Sequence, residues 1–117
     1  MSDASDAPTA SGAEILEAML ADAEAAMGTA SGGASACSFT KAGVPVPALK
    51  YAEGRNFALR ELRRALKRES PAEAVPALVA AWRAQLAALE ARGAGADWVA
   101  YRTGGVDALT EFGDRVG

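Results

Sequence analysis

Residues 50–69 read KYAEGRNFALRELRRALKRE, and this stretch decides the fold class of the chain. At about 100° per residue of an α-helix, its apolar and aromatic residues share one side: Tyr51, Ala52, Ala58, Leu59, Leu62, Ala65 and Leu66. The opposite side collects cations: Lys50, Arg60, Arg63, Arg64, Lys67 and Arg68. The stretch therefore predicts a central helix with a core-facing apolar stripe and a basic outer face.

Two residues of this helix break its pattern. Phe57 projects among the cations, where it is either a second core contact covered by another helix of the chain or an anchor for a partner. Arg55 projects into the apolar stripe, where it either reaches out to solvent or pairs with a charge at a subunit contact. We favour the first interpretation for each residue, because large apolar side chains are usually buried and long cationic side chains usually reach water.

The composition describes one small, helix-rich domain. The chain has 117 residues, half of them apolar, and alanine supplies much of that half. Such a sequence favours helix but gives a thin core, so association with other subunits would add stability. No run approaches the about 20 apolar residues that a membrane span needs. The acidic N-terminus lacks the basic region of a signal peptide. We therefore expect a cytoplasmic protein without a membrane partner.

The residue inventory excludes several chemistries. The chain has no histidine and one cysteine, Cys37, which removes Ser-His-Asp and Cys-His catalysis, thiolate clusters and ordinary zinc sites. We expect Cys37 to be a small buried residue. The glycine pairs at residues 32–33 and 104–105 lie outside any phosphate-binding frame. Nothing suggests a catalytic residue, a metal, a cofactor or a small-molecule substrate, so we expect the protein not to be an enzyme.

Charge is unevenly spread along the chain, whose net charge is −3. Residues 1–36 carry six acids and no base, whereas residues 37–70 carry eight bases and three acids. Residues 71–117 carry four bases and six acids. We expect the acidic N-terminal part and the basic helix to attract each other, within one chain or between neighbouring chains.

The N-terminal region predicts a tail and a first helix. Residues 1–11 are small and polar and should be disordered. Ser11 and Glu14 have the spacing of a capping box, in which each side chain bonds the other residue's backbone N–H. A helix is therefore expected over residues 12–27, and Gly28 is a natural stop.

The next segment predicts a short, poor β-hairpin. Residues 36–42 alternate with a period of two, which is typical of a strand. Gly43 can make the tight turn. The second arm, residues 44–48, contains Pro45 and Pro47, which cannot donate to a strand ladder. That arm is expected to be an edge strand or an extended segment that packs on the helices.

A third helix should follow the basic one. Ser70 and Glu73 form a second capping box, with Pro71 at the first helical position. An apolar seam at helical spacing follows: Val75, Leu78, Val79, Trp82, Leu86 and Leu89. The helix should end at Arg92, before Gly93. The seam can pack on the basic helix or on another subunit.

Residues 93–117 are expected to form a helical docking tail. Asp97 can cap a first short helix, and the glycines at residues 104–105 should break the chain before a second. The tail is rich in aromatic residues: Trp98, Tyr101 and Phe112. It docks either onto the domain's own core or onto a neighbouring subunit. Together with residues 12–92 this predicts a mainly α (α+β) domain: two helices flanking a short β-hairpin, then a third helix and a helical tail.

Two groups of residues are candidate contacts. Those expected to meet a partner or nucleic acid are Phe57, Arg60, Arg63, Arg64, Lys67 and Arg68. Those expected at subunit interfaces are Arg55, Trp82, Trp98, Tyr101 and Phe112. The cations could bind phosphates while Phe57 stacks on a base. The acidic pI of about 4.9 and the absence of a helix-turn-helix pattern count against that nucleic-acid role.

The order of elements over residues 12–69 resembles the small head-completion or head–tail adaptor proteins of tailed phages, of the lambda W type. The segments that carry the resemblance are ILEAMLADAEAAM, CSFTKAGVPV and LKYAEGRNFALRELRRALKR. The resemblance implies a non-enzymatic ring subunit of the virion that joins the capsid portal to the tail. It also implies that the basic positions of the central helix face DNA.

The leading hypothesis is a non-enzymatic structural or interaction protein that self-assembles or docks on a partner, such as a phage adaptor. The alternative hypothesis is a small bacterial nucleic-acid-binding or regulatory protein that uses the basic helix of residues 50–69. The first predicts a defined oligomer or a protein complex. The second predicts an affinity for nucleic acid that falls steeply with salt.

Overall fold

The computed structural model describes residues 11–30 and 47–117, and these residues form four α-helices. The helices are α1 (Gly12–Ala30), α2 (Pro47–Ala65), α3 (Pro71–Ala91) and α4 (Ala96–Val116). Helix α2 is the predicted central helix, displaced about one turn toward the N-terminus. A hydrogen-bonded turn continues from its end as far as Glu69.

The starts of α1 and α3 lie where the capping boxes predict them. The Ser11 backbone N–H donates to Glu14 Oε1 at 2.9 Å, and the Glu14 N–H donates to Ser11 Oγ at 3.1 Å. At α3, the Ser70 N–H donates to Glu73 Oε1 at 3.4 Å. Helix α3 ends as predicted, because Gly93 takes a φ of 69°, which favours glycine.

The central pair of helices is α2 and α4, which run parallel. Lys50, near the start of α2, lies over the ring of Trp98, near the start of α4. At the other end, Val116 of α4 lines a concavity with Pro71, which follows α2. Helix α1 packs antiparallel on α2, and α3 packs antiparallel on α4. The tail predicted for residues 93–117 therefore packs within its own chain, against α2 and α3.

Helices α2 and α4 approach each other through two glycines. A Cβ atom at Gly54 would overlap the backbone carbonyl of Tyr101, and a Cβ atom at Gly104 would overlap the backbone carbonyl of Tyr51. The two contacts are related. In each helix a glycine follows a tyrosine by three residues, and this glycine packs against the tyrosine of the other helix. The absence of side chains here lets the two backbones touch.

The core lies where α1, α3 and α4 surround the apolar face of α2. Ala52, Ala58, Leu59 and Leu62 are buried there, so the predicted stripe is confirmed at four of its seven residues; the other three are half-buried. Facing them are apolar side chains of the other three helices: Leu16, Met19 and Leu20 of α1, Ala74 and Trp82 of α3, and Val106, Ala108, Leu109 and Phe112 of α4. The domain is therefore held together by all of its helices.

The predicted β-hairpin is wrong. The described part of the chain contains no strand, and Pro47 and Ala48, which would end the second arm, are the first residues of α2. Proline is favoured at the first helical position, because its fixed φ suits a helix and its missing N–H is not needed there. The rest of the hairpin, residues 36–46, lies outside the described residues. Over the described residues the class is mainly α, without the β component.

Two predicted breaks are also absent. Helix α1 continues through Gly28 to Ala30, and α4 continues through Gly104 and Gly105 as one helix of 21 residues. It starts at Ala96, with Gly95 rather than Asp97 at the N-cap. Gly104 and Gly105 are buried at contacts with α2 and with the ring of Trp82. The packing that they permit outweighs their weak helix propensity. Ser11, predicted as part of a disordered tail, caps α1.

Candidate interaction surface

Four aromatic side chains from three helices meet at one side of the molecule. Ring centroids of Phe57 lie 6.1 Å from Trp82 and 6.2 Å from Tyr101. The Trp82 ring lies 5.6 Å from Tyr101, and the Trp98 ring lies 6.4 Å from Tyr101. These separations lie within the range of favourable tilted and edge-to-face ring contacts. We call the set Phe57, Trp82, Trp98 and Tyr101 the aromatic patch.

The aromatic patch is buried at its base and open at its top. Trp82 is 2% exposed, and its indole Nε1–H donates to Glu61 Oε1 at 2.7 Å. Tyr101 is half-buried, and this burial raises the pKa of its phenol. Phe57 is 46% exposed and Trp98 is 57% exposed. Two large apolar side chains therefore face solvent on a fixed aromatic base.

Cations lie over the rings of the patch. The Arg102 guanidinium carbon is 4.5 Å from the Trp82 ring centroid and 5.4 Å from that of Tyr101. Lys50 Nζ is 5.5 Å from the Trp98 ring centroid, and it also pairs with Glu53 at 3.1 Å. Cations at these distances are attracted to the ring faces. These contacts place the Arg102 guanidinium beside the patch.

The basic face of α2 lies next to Phe57. Arg63 pairs with Glu17 of α1 at 3.2 Å, so the acidic first helix and the basic helix do attract each other within one chain at this point. Lys50 pairs with Glu53, and the remaining cations of the face are exposed and have no acidic partner within the described ranges: Arg60, Arg64, Lys67 and Arg68. Four positive charges are thus available to solvent or to a ligand.

Arg55 is paired inside the chain. Its Nη2 donates to Glu111 Oε1 at 2.6 Å, and Arg115 Nη2 lies 2.6 Å from Glu111 Oε2. The hydrogen bond from Arg55 holds the pKa of the Glu111 carboxyl below its usual value, although partial burial opposes this. One turn away, the Tyr51 hydroxyl donates to Asp107 Oδ2 at 2.6 Å. These polar contacts fasten α2 to α4 on the side away from the core.

The structure separates the predicted contact residues into two groups. Trp82 and Phe112 are buried inside the chain, whereas Phe57, Trp98 and Tyr101 form a surface. Phe57 contacts rings of other helices in its own chain, as the first interpretation expects, but it is not fully covered by them.

Arg102 is the member of this surface that the sequence reasoning missed. Its spacing of four residues from Trp98 places the two side chains on one face of α4 and could have indicated it.

Within the described ranges, no helix combines the length and apolar character needed to cross a membrane. In the same part of the chain, no three histidine, cysteine or acidic side chains gather as a metal ligand set would. Comparison with protein-family models, with curated proteins and with solved structures gave no match to this chain.

Proposed function

We propose that this chain is a non-enzymatic interaction protein that binds a partner protein through the aromatic patch. The observation that carries the proposal is the exposure of Phe57 and Trp98 on a base of packed rings. Tryptophan, tyrosine and arginine supply most of the binding energy at protein interfaces. Because the rings hold one another in place, little side-chain entropy would be lost when a partner covers them.

The physical contrast with the rest of the surface supports this assignment. Most exposed apolar residues of the described chain are alanines, whose removal from water contributes little. The patch offers large rings beside arginine and lysine, so it can contribute both apolar area and charged hydrogen bonds. An interface centred on Trp98 would bury the large apolar side chain that is most exposed in the described chain.

Nucleic-acid binding is the second candidate, and it rests on the four exposed, unpaired cations next to Phe57. Against it stand the pI of about 4.9 and the pairing of Arg63 with Glu17. The phage-adaptor hypothesis is a narrower form of the first proposal. It depended on the hairpin, so the proposal made here does not rely on it.

The first test is the solution mass of the pure chain by light scattering, at low and high salt. The double variant Phe57→Ala/Trp98→Ala is compared with Arg83→Gln, which changes an exposed cation on α3 outside the patch. If the chain forms a defined oligomer, the double variant should be a monomer and the control should not. This outcome would make the partner a second copy of the chain.

If the chain is a monomer, the wild-type protein and both variants serve as baits for partner capture. A captured protein is then purified, and its dissociation constant is measured by calorimetry. The proposal expects direct binding that the Arg83→Gln variant retains and the double variant loses. The proposal would be contradicted if the chain is a monomer and every purified partner binds the double variant as tightly as it binds the wild type.

A further inference from the structure

A concavity of about 320 Å³ opens beside the aromatic patch, between the C-terminal half of α3 and the start of α4. Its lining combines apolar and cationic side chains: Gln85, Ala88, Leu89, Arg92, Trp98 and Arg102. We call it the arginine notch. It includes Trp98, the most exposed large apolar residue of the described chain, so the notch and the patch form one continuous surface.

Within the described residues, the two arginines of the notch are not paired with an acid. No carboxylate lines the notch, and in the described part of the chain neither Arg92 nor Arg102 forms an ion pair. Arg102 is half-buried and stacked over Trp82 and Tyr101. No hydrogen bond of the Arg102 guanidinium is formed within the described residues, so its N–H donors are available to a ligand. A planar fork held in this way is ready to bind a carboxylate with two hydrogen bonds.

A second concavity, between α2 and α3, shows why the notch stands out. It also contains two arginines, Arg64 and Arg68, but Glu61 and Glu69 line it as well. The two arginines there form no ion pair in the described chain, but two carboxylates line the same concavity, so an incoming acid would meet less net positive charge than in the notch. The arginine notch has two arginines and no carboxylate in its described lining, and Leu89 and Trp98 form an apolar wall beside them.

We infer that the arginine notch binds an acidic segment of a partner protein, with an Asp or Glu carboxylate between Arg92 and Arg102 and an adjacent apolar side chain against Leu89 and Trp98. This inference rests on the proposed function, because it names the chemistry of the partner at the same surface. A peptide fits better than nucleic acid. The notch offers two cations rather than a track of them, and half of its wall is apolar.

The test uses a display library of short random peptides, selected on the full-length chain. The selected peptides should carry Asp or Glu beside Leu, Ile or Phe. Their dissociation constants are then measured by calorimetry on the wild type and on four variants: Arg92→Gln, Arg102→Lys, Trp98→Ala and Arg83→Gln. Circular dichroism verifies that each variant is folded. Arg92 is exposed, so its replacement leaves the core untouched.

The expected result is a loss of roughly tenfold or more for each of two variants: Arg92→Gln removes charge-assisted hydrogen bonds, and Arg102→Lys removes the paired, bidentate geometry. Arg102→Lys keeps the charge but removes the planar fork, so its loss would report geometry rather than charge alone. Arg83→Gln should bind as the wild type does. At 100° per residue, Arg83 lies on the opposite side of α3 from Gln85, Ala88 and Arg92.

Three other results would overturn the inference, and they separate it from the proposed function. Peptides without acids that still lose binding in Trp98→Ala would overturn the acidic partner and keep the docking surface. Failure to select any peptide that depends on Trp98 would overturn both. Tighter binding of single-stranded oligo-dT than of any selected peptide, with the same dependence on Arg92 and Arg102, would assign the notch to nucleic acid.

Discussion

Helix α2 lies so close to α4 that glycine is needed at the contact, whereas α3 meets its neighbours through one buried tryptophan and a half-buried apolar seam. Six residues of α2 and six of α4 are buried. Helix α3 is as long as α4 and richer in alanine, yet only Ala74 and Trp82 are buried in it. Its apolar seam is otherwise half-buried, and its outer face is exposed alanine.

The α2–α4 pair therefore contributes mainly to the stability of the fold, whereas α3 contributes mainly to the proposed binding surface. The α2–α4 pair removes most of its apolar side chains from water and holds its backbones in contact, so changes there should act on the whole fold. Helix α3 contributes less buried area, but with α4 it forms the wall of the arginine notch and the base of the aromatic patch. The following experiments test this contrast, from the largest expected effect to the smallest.

The largest effect is expected from Gly104→Val or Gly54→Val. Either side chain would overlap a backbone carbonyl of the facing helix, and backbone cannot move aside as a flexible side chain can. Separation of the two helices would open the core, so each variant should lose about 3 kcal/mol or more of unfolding free energy. Urea unfolding followed by circular dichroism measures this loss.

Gly12→Ala is the matched control for this experiment. A Cβ atom there would lie 3.9 Å from Phe112 Cζ, which is an ordinary contact. Alanine also has the better helix propensity, so we expect stability unchanged or raised by up to about 1 kcal/mol. The close contact of α2 and α4 would be disproved if the loss of unfolding free energy for Gly104→Val were no larger than the change for Gly12→Ala.

The second experiment compares side chains of the two regions. Phe112 of α4 is fully buried, so Phe112→Ala should lose about 3–5 kcal/mol. Leu86 of the α3 seam is half-buried, so Leu86→Ala should lose less, about 1–2 kcal/mol. Equal losses by urea unfolding would show that α3 is as firmly packed as the central pair.

The third experiment concerns the backbone of α3. Pro76 lies inside the helix, where it cannot donate the hydrogen bond to the carbonyl of Ala72. Pro76→Ala restores that donor, but it also raises the entropy of the unfolded chain, which offsets up to about 1 kcal/mol. We expect a net gain of about 1–2 kcal/mol in thermal or urea unfolding. A loss of stability would mean that the proline ring makes a packing contact that the helix needs.

The elements that the sequence predicts correctly are those that depend on local interactions. The capping boxes at Ser11 and Ser70 involve residues three apart, and the stripe of α2 depends only on helical spacing. The missed continuation of α4 through two glycines instead reflects long-range contacts. Gly104 and Gly105 weaken a helix locally, but they are required where α4 meets α2 and Trp82, and no local pattern announces that meeting.

The sequence indicated single residues of the candidate site, but it did not indicate that they lie together. Phe57 and Trp98 stand out in the sequence as large apolar residues without an assigned place in a core stripe. Trp98 lies three residues before Tyr101 on α4, but Phe57 reaches Tyr101 only through the parallel packing of α2 and α4, which joins residues about 40 positions apart. The wrong prediction at Pro47 has a local cause. The same residue type suits both an edge strand and a helix start, and the local sequence did not distinguish them.

The smallest effect is expected at the polar contact that fastens α2 to α4, through Glu111. Its folded-state pKa is lowered by Arg55, so the folded chain binds fewer protons there than the unfolded chain. The stabilisation is therefore complete above the ordinary glutamate pKa of 4.5 and is lost as the pH falls through the lower folded value.

Because the Glu111 side chain is 35% exposed, solvent screens the pair and the contribution at neutral pH should not exceed about 1 kcal/mol. Urea unfolding of the wild type and of Glu111→Gln should differ by this amount at pH 7, and the difference should narrow below about pH 4.5. Glu90→Gln removes an exposed acid of α3 that has no ion pair in the described chain, so its stability should follow the wild type throughout. A difference for Glu111→Gln that widened toward acid would mean that the carboxyl is stabilised in its protonated form. In that case the bond from Arg55 would not be what joins the two helices on this side.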